Sequence, residues 1–203
     1  MEDATAKEHI EALYRGIAGM PDIEPAEIPK LDLYMDQVIT LFESVLEPTK
    51  RHPGDKLLTK TMINNYTKDK LLLPAKNKKY SPQHIIQMAL IYHLKQTLSI
   101  GDIKTLFQGT LHREDVDGWK VYEQFLRLKE EQAPQLESAV SAQTEAVASA
   151  GENQALTLLA VLTFIHQANT YKRLAEKLID DLEKRMAKDR DKDKDKEKSK
   201  KSS

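Results

Sequence analysis

Residues 57–107 read LLTKTMINNYTKDKLLLPAKNKKYSPQHIIQMALIYHLKQTLSIGDIKTLF, and this stretch decides the fold. Thr59 stands as a helix N-cap, and the segment Thr59 to Asp69 carries Met62, Ile63 and Tyr66 at helical spacing. Leu71, Leu72 and Leu73 follow, and Pro74 stops the pattern before a short basic loop, Lys76-Asn77-Lys78-Lys79. Ser81-Pro82 restarts a helix, with serine at the N-cap and proline at the first helical position. From Pro82 to Leu98 the apolar residues Ile85, Ile86, Met88, Ala89, Ile91, Tyr92 and Leu94 fall on most sides. A helix of that kind is central and largely buried. Ser99-Ile100-Gly101-Asp102 is a capping signature, and Ile100, Ile103, Leu106 and Phe107 make the helix behind it amphipathic.

Working toward the N-terminus, Tyr34, Val38, Leu41, Phe42 and Val45 share one helical face, in a helix that starts near Leu31. Pro48 and Arg51-His52-Pro53-Gly54 end it. The first thirty residues have weak periodicity and the breakers Gly16, Gly19, Pro21 and Pro25. They predict a short helix near Ala6 to Ile17 and then irregular chain. Toward the C-terminus, Trp119, Tyr122, Leu126, Ala133, Leu136, Val140 and Val147 follow a three-and-four spacing. They predict a long helix, bent or restarted at Pro134. A second long helix is predicted from Asn153 to Lys188, antiparallel to the first and joined to it at Ala150 and Gly151. Its segment Ala155 to Ile165 is apolar nearly all round, which places it in a core, with His166 as a satisfied core histidine. Beyond Ala187 Lys and Asp alternate with no apolar residue, which predicts a disordered or frayed tail.

The composition narrows the function classes. Seven glycines and eight prolines in 203 residues leave room for long helices. The absence of cysteine excludes disulfides, thiolate metal sites and cysteine nucleophiles. No apolar run reaches the ~18 residues of a membrane span, and the polar start is no signal peptide, so a cytoplasmic, mainly helical protein is expected. The formal net charge of -1 hides a segregation. Met1 to Thr49 carries three basic and eleven acidic residues, whereas Lys50 to Tyr80 carries nine basic and two acidic. A concentrated basic block in a neutral chain points to an anionic partner; the plainer reading is a solvated lysine-rich loop.

The stretch Leu57 to Phe107 resembles the DNA-binding head of MerR-type regulators. In these a recognition helix ending in an aromatic is followed by a Leu-Leu-x-Pro turn, a basic wing, Tyr-Ser, a long helix and a final short helix. Tyr66 matches the aromatic, Leu71-Leu72 and Pro74 the turn, Lys76 to Lys79 the wing, Tyr80-Ser81 the Tyr-Ser pair, and Ser99 to Phe107 the final helix. The chain departs from that pattern at Asn64 and Asn65, where the family has arginine and tyrosine. It departs again at Lys70, where glycine eases a left-handed turn. The first helix of the helix-turn-helix is replaced by a longer segment and the loop Glu47 to Leu57. With LDLYMDQVITLFESV at 31–45 included, roughly Pro29 to Lys184 is similar to an uncharacterised bacterial family, domain of unknown function 1836.

The resemblance implies an all-α fold. A MerR-like winged helix-turn-helix head with a minimal β wing is followed by a C-terminal antiparallel helical hairpin. The expected divisions are an acidic segment (1–30), the head (31–110), a helical dimerisation or effector region (111–188) and a charged tail (189–203). It also implies a DNA-binding transcriptional regulator that works as a homodimer on double-stranded DNA. Read from the residues, Lys60, Thr61, Asn64, Asn65 and Lys68 offer charge for phosphates and amides for base edges. Lys76, Lys78 and Lys79 reach flanking phosphates, and the tyrosines Tyr66 and Tyr80 complete the candidate set. Two other readings stand beside this one. In the first, Tyr66 and Tyr80 are core, the lysines are solvated, and the head is a protein-interaction module. In the second, the apolar helix pair holds a small hydrophobic effector. No cofactor or metal is expected. His84 and His93 lie half a turn out of phase, and His112, Glu114, Asp115 and Asp117 read as acidic helix caps rather than ligands. No phosphate-cradling glycine loop or nucleophile elbow is present, so an enzyme is not expected.

Overall fold

A computed structural model describes residues 6–150 and 155–201. Seven α-helices, two short 3-10 turns and one two-stranded antiparallel ribbon form the described chain's regular structure. Helix α1 (Ala6–Ala18) is followed by β1 (Leu33–Tyr34), α2 (Met35–Leu46), α3 (Lys60–Lys68), β2 (Lys79–Tyr80) and α4 (Pro82–Leu94). Then come α5 (Ile100–Gly109), α6 (Gly118–Ala150) and α7 (Leu156–Lys201). The mainly helical expectation is met. The predicted joint at Gly151 and helix start at Asn153 lie outside the described residues, as do Ser202 and Ser203.

The caps legible in the sequence are formed. The Thr59 hydroxyl accepts the Met62 N–H at 3.1 Å and opens α3. Ser99 accepts from the Asp102 N–H at 3.1 Å, while the Asp102 carboxylate accepts the Ser99 N–H at 3.3 Å. Ser81 opens α4 with Pro82 behind it, and His84 Nδ1 accepts the Ser81 N–H at 3.0 Å. Helix α4 is buried from His84 through Ala89 and at Ile91, as its all-round apolar pattern requires. It ends at Leu94, one turn earlier than predicted, and the chain turns through Lys95 to Leu98.

One core joins the head. Val38, Phe42 and Leu46 of α2, Ile63 and Tyr66 of α3, Leu71, Leu72, Ile85, Ile86, Met88, Ile91, Ile103 and Phe107 are buried together. Ile23 and Ile28 belong to it as well, so the broken N-terminal stretch is part of the head core. Tyr34 falls outside the predicted α2 stripe. It caps the helix from β1 and is exposed, because the strand pairing Leu33↔Tyr80 and Tyr34↔Lys79 holds it in extended backbone.

The C-terminal half differs from expectation in three ways. Helix α6 runs unbroken through Pro134 for 33 residues. Segment 155–165 of α7 is not enclosed: Leu156 and Ala160 are buried, but Leu158, Val161, Leu162 and Ile165 are exposed, as is His166. Those four residues lie at i, i+3, i+4 and i+7, on the face opposite the one that meets Val147 of α6. The apolar run thus offers two faces where one chain covers only one. The third difference is the tail. The stretch 189–201 is helical backbone continuous with α7, where a disordered or frayed tail was expected. Lys192 and Asp189, three residues apart, pair at 4.0 Å along this helix.

Candidate nucleic-acid interface

Nine residues form α3. At 100° per residue, Lys60, Thr61, Asn64, Asn65 and Lys68 fall within an arc of about 140°. All five are exposed, while Ile63 and Tyr66 point into the core. One face is therefore wholly polar and lysine-tipped. The end of α3 is fixed by a Schellman turn: the Lys70 N–H donates to the Thr67 carbonyl (3.1 Å) and the Leu71 N–H to the Tyr66 carbonyl (2.8 Å). Lys70 takes the left-handed conformation there, at φ 61°, the position that glycine usually fills.

The wing is a reverse turn with the same peculiarity. Lys76 and Lys79 pair through both backbone bonds (3.1 and 3.0 Å), and the two central residues, Asn77 and Lys78, have φ of 52° and 60°. Two central residues with positive φ make a type I′ turn, for which Asn-Gly is the favoured pair. Asparagine tolerates the left-handed region, but lysine pays about 1–2 kcal/mol there. The chain therefore keeps lysine at both positions, Lys70 and Lys78, where glycine would relieve strain. Lys70→Gly and Lys78→Gly are each expected to raise stability by about 1 kcal/mol. Thermal melts check this, and an unchanged or lowered midpoint refutes it.

Helix and wing meet at one junction. Lys60 Nζ pairs with Asp36 Oδ1 at 2.8 Å, and Lys79 Nζ lies 5.0 Å from the centre of the Tyr34 ring. Both partners sit where β1 turns into α2, so the polar face of α3 and the wing border the same corner of the head. The Lys60–Asp36 pair is solvent-exposed on both sides, hence weak and exchangeable for a stronger anion. Lys68, Lys76 and Lys78 make no ion pair among the described residues.

Two of the sequence-derived contacts are corrected. Tyr66 is 6% exposed and Tyr80 4%, and burial pushes both phenols up in pKa. Both rings are core: Tyr66 closes α3 onto the leucine turn, and Tyr80 stacks edge-on against His84. The acidic loop before α6 behaves as caps: Asp117 accepts the Trp119 N–H at 3.0 Å, and Asp115 pairs with Arg113. Among the described residues no group of three His, Asp or Glu is arranged to hold a metal, and no helix is long and apolar enough to cross a membrane.

The polar groups that sequence reading missed lie elsewhere on the head. Asp22 accepts from Lys129 and from His93 Nε2 (3.2 Å). Burial raises its pKa, but the bonds to His93 and Lys129 outweigh this and hold the carboxyl below its usual range. Lys95 is half-buried beside this group and donates to the Leu57 carbonyl at 2.8 Å. Nothing local in the sequence marks Asp22, which sits between breakers and is brought to α4 and α6 only by the fold.

A family model described as Domain of unknown function (DUF1836) matches residues 23–125. That span begins at the buried Ile23 and takes in β1, every helix from α2 to α5 and the first turns of α6. The chain belongs to this family. No curated protein and no solved structure matches it.

Proposed function

We propose that this family member binds duplex DNA through the polar face of α3 and the wing, as a MerR-like winged helix-turn-helix regulator of transcription in the cytoplasm. The observation that carries the reading is the common junction at Tyr34 and Asp36, which sets a short helix and a basic turn side by side. A nine-residue helix with amides at Asn64 and Asn65 suits a major groove, where asparagine pairs with adenine. The wing lysines then meet flanking phosphates, positioning the helix rather than reading sequence. Lysines kept at two left-handed positions support the same reading, since strain of this kind persists where a side chain is needed. The protein acts as a homodimer, its second copy covering the bare face of α7.

The salt dependence of DNA affinity tests the proposal. Each phosphate neutralised contributes roughly 0.9 to the slope of log affinity against log salt. Lys76→Ala together with Lys78→Ala should lower the slope by about two per protomer and weaken all sequences alike. An unchanged slope would take the wing off the DNA backbone. Absence of any binding by the wild type near ~50 mM salt, where phosphate contacts are strongest, would leave the protein-interaction module as the reading.

A further inference from the structure

The basic block that is continuous in sequence is divided by the fold. Helices α2 and α4 both start at the ribbon, and their far ends meet where the Thr49 and Tyr92 hydroxyls bond at 2.6 Å. Twelve helical residues separate the two ends of α2, about 18 Å. Lys76, Lys78 and Lys79 stay at the ribbon end, whereas Lys50, Arg51 and Lys56 go to the far end. There they line a cleft of about 570 Å³, walled also by the 20–22 segment, by Tyr92, His93, Lys95 and Gln96, and by Lys129.

The charges of this cleft are unequally matched. Its two carboxylates are already engaged: Asp22 with His93 and Lys129, and Asp55 as acceptor of the His52 N–H at 3.0 Å. Lys50 is held by Glu43. Arg51, Lys56 and Lys95 make no ion pair among the described residues. Lys95 is the most telling of them. Its ammonium is half-buried, 5.5 Å from the centre of the Tyr92 ring, with the Leu57 carbonyl as its hydrogen-bond acceptor. Burial without a counter-charge pushes its pKa down. A recessed ammonium with donors to spare, flanked by two exposed cations, lacks only an anion.

We propose that this cleft binds a small phosphate compound carrying at least two negative charges, held by Lys95 at its floor and by Arg51 and Lys56 at its rim. The volume falls within the ~300–1,000 Å³ of small-molecule sites. Lys95 is recessed, so a duplex lying across the surface does not reach it. The proposal does not rest on DNA binding at the other end of α2.

Calorimetric titration of the full chain with inorganic pyrophosphate at low salt tests it. Saturable one-site binding is expected. Arg51→Ala with Lys56→Ala, both at exposed positions, should weaken it at least about tenfold, the scale of one lost charge-assisted hydrogen bond. Lys95→Gln should do the same, and Lys76→Ala with Lys78→Ala should leave it unchanged. Absence of saturable binding overturns the proposal, as does equal weakening by the wing pair. The third overturning result is a salt slope for duplex DNA that falls by about two in the Arg51/Lys56 variant. That would make the cleft part of a DNA track.

Discussion

Leu72→Ala is expected to cost about 2–5 kcal/mol, the range for emptying a fully packed leucine site. For a domain whose total stability is about 5–15 kcal/mol, that is enough to unfold a large share of molecules at 37 °C. Leu72 is 2% exposed and lies at the end of the Schellman turn, where its N–H donates to the Tyr66 carbonyl at 3.1 Å. The next residue, Leu73, donates its N–H to Gln87 Oε1 of the central helix at 3.4 Å. The side chain of Leu72 therefore anchors the end of α3 to the core while the backbone beside it bonds to α4. Leu73 itself is 51% exposed, so Leu73→Ala should shift stability by less than about 0.5 kcal/mol. Urea midpoints of the two variants give the comparison. Equal midpoints would mean that the leucine run does not fix α3.

That contrast within three consecutive leucines marks the limit of what sequence alone made legible. The caps at Thr59, Ser81 and Ser99 were readable because capping is local chemistry: a short polar side chain before an apolar period has few other uses. The left-handed position of Lys70 was legible only through the resemblance, where glycine stands in its place; the Schellman turn after α3 is what requires it. Tyr66 and Tyr80 were not, because a tyrosine beside a basic segment suits both a core and a phosphate contact, and only the packing of α4 decides. Ile23 and Ile28 were missed because a stretch broken by prolines has no period to reveal which side faces inward. β1 was missed because two residues are too few for alternation to register. The candidate site was legible as a polar helix face and a basic turn. Its junction at Tyr34 and Asp36 was not, because that corner is made by residues more than twenty positions away from the helix and wing they touch. The basic block misled in a further respect, since a run of charge in sequence says nothing about which end of α2 each lysine reaches.

Helix α7 presents the other large expected effect. Leu158, Val161, Leu162 and Ile165 are 52–62% exposed on one face, and they continue an apolar run that a single chain buries at Leu156 and Ala160 and partly covers at Leu159 and Phe164. Each such side chain gains about 1.5–3 kcal/mol when fully buried. A second copy offers the same four residues, and an isologous contact between two α7 helices would enclose all eight. It would also set two α3 helices in a fixed relation, as reading two half-sites about one DNA turn apart requires. The wild type is therefore expected to scatter light as a dimer, at twice the 23.2 kDa of the chain, at micromolar concentration. Leu162→Glu with Ile165→Glu should give the monomer mass with unchanged helix content, because neither side chain supports the fold of its own chain. DNA affinity should fall with it by roughly 10²–10⁴, the gain that two linked half-sites ordinarily provide. A wild type that scatters at the mass of one chain, or a double variant that stays dimeric, would place the second copy elsewhere or remove it. Retained dimerisation with lost DNA binding is not expected from this pair, since both residues lie on the helical arm and away from the α3 face and the wing.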